Sequence, residues 1–196
     1  MSPSIAYEEL SWIVPDTLWK WTLNSSSLRL DWKNPTMKTI FDDGYVFPTE
    51  YNVVGVNRTA GTNTSEWVAL VIQDIPGAGS DHPIHLHGHD FWVLDRSKGK
   101  GRCDFTNTRF NLTNPTRRDG ATLLNGGYLV IAFKLDSPGA WLVQCHIAWH
   151  ASQGLLLEFV EDQPLISIGE EDKGDFDDTC RSWSLHTPIW EDDSGI

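Results

Sequence analysis

Only three cysteines occur in 196 residues, basic side chains are outnumbered by acidic ones 15 to 27, and no apolar run approaches the roughly 18 residues of a membrane span. Each shortage excludes something. Three thiols cannot pair fully within the chain, so at least one is free, metal-bound or joined elsewhere. A net charge of −12 argues against nucleic acid and against anionic membrane surfaces as partners, leaving neutral or cationic ones. The opening MSPSIAYEEL has neither the basic start nor the apolar stretch of a leader, so the chain reads either as cytosolic or as beginning away from its native start. There is no internal repeat and no low-complexity linker.

What is abundant is aromatic. Ten tryptophans and eight phenylalanines supply a core for a single domain over residues 1–196, large enough to stand without disulfides. Sequons at Asn24, Asn57, Asn63 and Asn111 lie in polar, loop-like surroundings and favour a secretory origin. Short segments rich in β-branched and aromatic residues recur: LRLDW, YNVVGV, EWVALVIQ, IHLHGHDFWVLD, YLVIAFKL, AWLVQCHI and LLLEFVE. Turn signals such as DDG, IPGAGSD, LNGG and DSPG separate them. That pattern predicts an all-β sandwich or barrel rather than alternating strands and helices. Residues 1–30, with LSWIVPDTLWKW, read as an irregular or edge lead-in. Residues 162–196 read as a tail that is irregular or forms a short helix.

Two stretches carry chemistry: HPIHLHGHDFWVL from His82, and WLVQCHIAWHASQGLLLEF from Trp141. Successive side chains on a strand point to opposite faces, so His85 and His87 share one face and Gln144 and His146 share one. Cys145 points the other way. His82 can serve its side, and His150 can return to it from beyond the strand. Two imidazoles and a thiolate form the trigonal set that favours blue copper, with Leu155 placed to fill the axial position without ligating. The absence of an axial sulfur predicts a relatively high potential. His85, His87 and His146, with Gln144 as an odd fourth member, make a second candidate site.

A lone strand histidine is more often a core or surface residue than a ligand, but five histidines and a cysteine at these spacings point to metal. A cupin-like iron or zinc site lacks a carboxylate at the expected position and leaves Cys145 unexplained. A Cys-His nucleophile fails because His146 faces away from Cys145. His89 is assigned a supporting or surface role and His186 a structural or surface one. Trp149, beside His150, is as well placed to wall a site as to pack. Cys103 and Cys180 are free to bond each other or another chain.

At these motifs the chain resembles the multicopper oxidases, and closely the third cupredoxin domain of ascomycete laccases. TNPTRRDG, LVIAFKLDSPGAWL, CHIAWHASQGL, DFDDTCRSW and the final DSGI carry the resemblance over essentially the whole sequence. It implies a cupredoxin-like Greek-key β-sandwich or barrel with copper as cofactor. His82, Cys145 and His150 would hold type 1 copper, with Leu155 axial and non-coordinating. His85 would bind type 2 copper, and His87 and His146 the two different type 3 coppers. Trp149 and His150 would line the approach for a phenolic substrate, with His150 taking up the electron. Dioxygen would be reduced at the cluster, DSGI would return into the channel leading there, and Cys180 would bond to the first domain.

The sequence departs from the family twice. Gln144 stands where the family has a histidine that shares a copper with His87, and an amide is a poor copper ligand beside imidazole. The family's cluster also draws half of its histidines from a first domain that this sequence does not hold. The expectation is therefore a secreted C-terminal subunit that oxidises phenols by one electron, leading to oxidative coupling, together with a separate chain supplying the first two domains. The alternatives are a catalytically impaired partner subunit and a stand-alone blue-copper carrier.

Overall fold

The structure, a computed structural model, describes residues 4–13, 20–42, 46–59, 66–75, 77–99 and 101–186. The expectations for Asn63, for the DSGI end and for the middle of the lead-in lie outside the described residues. Eleven strands are described: β1 (Ser4–Ile13), β2 (Lys20–Leu23), β3 (Val53–Val56), β4 (Trp67–Gln73), β5 (His82–Leu86), β6 (Phe91–Ser97), β7 (Thr116–Arg118), β8 (Gly120–Leu123), β9 (Tyr128–Lys134), β10 (Gly139–Cys145) and β11 (Leu156–Glu161). Three α-helices accompany them among the described residues: α1 (Thr36–Asp42), α2 (Ala148–Ser152) and α3 (Glu170–Leu185). One sheet runs β2-β1-β4-β9-β6-β7 and the other β3-β11-β10-β5-β8. The chain is an all-β sandwich of two sheets, as expected.

The main core lies between the sheets. Val68, Leu70 and Ile72 of β4 and Leu129, Ile131 and Phe133 of β9 meet Ile84 and Leu86 of β5, Val143 and Cys145 of β10, and Leu157 and Phe159 of β11. β4 and β9 lack the polar alternation of a half-exposed strand because their outer face is covered too. There Val71, Tyr128 and Val130 pack under Cys103, Phe105 and Phe110 of the loop after β6. Each such residue contributes roughly 1.5–3 kcal/mol by burial, so these two strands anchor the fold.

Three local expectations are corrected. Of the lead-in's described residues, β1 pairs antiparallel with β2 and parallel with β4 and so lies inside its sheet rather than at an edge, whereas β2 forms the sheet's edge as expected. LRLDW alternates but forms no strand. Its backbone bonds to Gly154 and Glu50, and Leu28 packs on Ala151 of α2 and on Leu156 of β11. IHLHGHDFWVLD is two strands, because Gly88 adopts φ 72° and turns the chain between β5 and β6.

Candidate metal centre

Strand pairing sets the site. β10 lies between β11 and β5, with Gln144 opposite His85 and Cys145 opposite Ile84. Alternation then sends Cys145 into the core, fully buried, while Gln144 points to the outer face. His82, at the start of β5, is also fully buried on the inner face. His150 is returned by the single turn of α2, closed by the Ala151 amide donating to the Ile147 carbonyl at 3.0 Å. The Leu155 carbonyl then accepts from the Cys145 amide at 3.1 Å, locking the end of this loop to its start. Gly154 makes the closure possible. It has φ 89°, and a Cβ there would meet Ser27 Oγ at 1.9 Å.

Sγ of Cys145 lies 3.7 Å from Nδ1 of His82 and 3.7 Å from Nδ1 of His150, and the two Nδ1 atoms are 3.2 Å apart. Among the described residues, this is the one group of three or more His, Cys, Asp or Glu side chains whose donor atoms all lie within 4.8 Å of one another. Burial draws His82 down to about 4, with His150 adding to the effect, and burial lowers His150 as well. Burial also raises the Cys145 thiol to about 11. Both imidazoles are therefore neutral lone-pair donors at physiological pH, facing a thiol whose proton a bound cation would displace. Two lone pairs and a sulfur converging in a dry pocket fit a soft, trigonal cation such as copper. Leu155, 1% exposed, follows this group in the core and offers no donor.

Trp21 completes the pocket, and the sequence reading missed it. Its ring centroid lies 5.1 Å from that of His82 and 4.6 Å from that of His150, and its amide donates to the Gln153 carbonyl at 2.9 Å. Nothing in KWTL signals this, because the contact depends on β2 reaching across to the α2 loop. Trp149 is 66% exposed with its ring 6.3 Å from that of His150, so it stands on the surface beside the buried site.

On the outer face His85 lies between His87 and His146, with ring centroids 5.0 and 5.9 Å away. The Nδ1–H of His85 donates to the Asp119 carbonyl at 2.7 Å, which leaves Nε2 as its free donor. Nε2 of His87 is 3.2 Å from the Gln144 amide nitrogen, so the amide occupies the space beside that imidazole. Burial lowers the His87 pKa, assisted by His85 and His146. His146 is exposed. Cys103 and Cys180 are both buried and unpaired, so they do not bond each other.

Residues 24–164 match the family model described as multicopper oxidase. Laccase-2 of Botryotinia fuckeliana is 54% identical over 179 residues, covering 90% of this chain and 30% of that protein. Laccase-1 of the same fungus is 50% identical over 182 residues, covering 90% and 31%. The crystal structure of the Botrytis aclada laccase superposes with a TM-score of 0.89 at 47% identity, covering 98% of this chain and 35% of that one. This chain thus spans about a third of the length of the relatives it matches.

Proposed function

The chain belongs to the multicopper oxidases, with copper as cofactor, and from that premise we propose that it is the phenol-facing domain of a laccase-like oxidase. The observation that carries this reading is the buried convergence of His82, Cys145 and His150 beneath an exposed Trp149. These three residues would hold type 1 copper. His85 would bind type 2 copper, and His87 and His146 the two type 3 coppers. Bound copper supplies one-electron oxidation at the first site and dioxygen reduction at the second.

The chain's own residues divide the remaining work. Trp21 and Leu155 keep water and further donors from the His82–Cys145–His150 group. Trp149 offers a flat surface on which a phenolic ring stacks, holding its hydroxyl near His150. Gln144, Cys145 and His146 are consecutive, so one strand end serves both faces. The outer donors are half-buried or exposed and do not converge on one point. This suits residues completed by other laccase-like domains, which in this reading lie on a separate chain docked over His85, His87 and His146. A disulfide through Cys180 requires that partner to reach a side chain that is only 9% exposed. Secretion is supported by the exposed sequons at Asn24, Asn57 and Asn111.

The test is to purify the chain from its source under native conditions and measure copper, oxygen uptake with phenols, and co-purifying protein. The expected result is a laccase-like partner, phenol-dependent oxygen uptake, and a Trp149→Ala variant that raises KM for phenols several-fold with little change in copper content. A lone chain with no phenol oxidation contradicts the proposal. A second reading, an assembly partner with weakened oxygen chemistry, is favoured by Gln144 beside His87.

A further inference from the structure

The turn between β5 and β6 is held by more than its length requires. The His87 amide donates to the Leu142 carbonyl at 2.9 Å, tying the turn to β10. Gly88 lies flat on Trp141, where an added Cβ would stand 2.5 Å from the indole. The next residue, His89, has a side chain 3% exposed and neighbours at both ring nitrogens. Nδ1 lies 3.2 Å from the His87 carbonyl oxygen, and Nε2 lies 2.8 Å from Oε2 of Glu161, whose side chain is fully buried.

The contacts then form a closed circuit. The other oxygen of Glu161 accepts the Ser137 amide at 2.8 Å, and the Ser137 carbonyl accepts the Trp141 indole N–H at 2.7 Å. Trp141 is the floor under Gly88. It also flanks the His89 ring at 5.9 Å, with Phe133 on another side at 5.0 Å. A buried carboxylate and imidazole carry a desolvation cost that an apolar pair would not. Here that cost accompanies a bond to one backbone carbonyl, that of His87.

We propose that His89 and Glu161 are positioning residues that fix the His87 backbone, and through it the His87 imidazole, for the copper it would bind. The proposal rests on the assignment of the outer histidines given above. The hydrogen bonds and ring contacts of His89 and Glu161 go to His87, Ser137, Phe133 and Trp141 and not to the His82–Cys145–His150 group. Outer partners that orient a metal-binding histidine typically carry about 10–100-fold in metal affinity.

The experiment uses the copper-loaded native assembly, with His89→Phe, His89→Gln and Glu161→Gln beside wild type. Three quantities are read: copper retained against a graded chelator, the visible thiolate-to-copper band, and the unfolding temperature. The expected result is that His89→Phe loses outer-site copper at roughly tenfold or more lower chelator than wild type. The visible band of the folded protein changes little, while the unfolding temperature falls because Glu161 loses its buried partner. His89→Gln, which keeps a donor for Glu161, falls between the two. Equal retention in all variants overturns the proposal, as does parallel loss of outer copper, visible band and folding. Should wild type itself bind copper only at the Cys145 site, the assignment of the outer histidines fails, and this inference with it.

Discussion

At Gln144 an amide stands among imidazoles, its nitrogen 3.2 Å from Nε2 of His87. An amide donates weakly to copper, and one hydrogen-bonded to His87 competes for the lone pair a metal would use. Gln144→His should therefore raise outer-site copper occupancy and oxygen uptake in the assembled oxidase. The visible band should stay nearly unchanged, because Gln144 faces away from Cys145. Copper counting and oxygen-electrode rates check this; full outer occupancy in wild type with no gain in the variant would show the amide to be an adequate substitute. At this scale the sequence was informative wherever a strand's alternation decides a side chain's face. That rule alone separates Cys145 from Gln144 and His146. It was silent on Trp21, on the His89–Glu161 pair and on Asp119, since those contacts join segments far apart in the chain.

Among the elements, the central strands were legible because their apolar runs match sheets covered on both faces. β1 and β2 were not, because what makes them strands is pairing with β4 and with each other rather than a local pattern. α3 was anticipated only as a short helix or tail; it runs for 16 residues with Glu170, Glu171 and Asp172 in its first turn, where negative charge complements the helix dipole. β11 carries a less obvious feature, Glu158, 5% exposed and accepting a hydrogen bond from Thr36 Oγ1 of α1. Burial raises its carboxyl to about 7 from an ordinary 4.5, although the bond from Thr36 acts the other way. The folded state then holds this proton more tightly than the unfolded chain. The contribution to stability is complete below pH 4.5 and is lost as pH rises towards 7, a change of up to about 3 kcal/mol. Glu158→Gln should flatten that slope: subtracting its denaturation profile from that of wild type should leave a decline confined to this window. No difference in slope would mean that Glu158 is already ionised at low pH.

For the whole molecule, the sandwich places two candidate metal sites on opposite faces of one strand end, one closed within the core and one open at the surface. The closed one is complete within this chain: His82 from β5, Cys145 from β10 and His150 from α2, covered by Trp21 from β2. The open one has its histidines in a row and an amide at its edge, and in the proposed assembly its chemistry depends on the partner domains. The account therefore stands first on the closed site. Its most direct measurement is the visible absorption spectrum of the copper-loaded chain in its native assembly, wild type against Cys145→Ser, with folding checked by circular dichroism. The account predicts an intense thiolate-to-copper band in wild type and its disappearance in Cys145→Ser, because a hydroxyl cannot replace the soft thiolate, while the fold and outer copper remain. A folded, copper-loaded wild type without that band, or a Cys145→Ser variant that keeps it, would contradict the account.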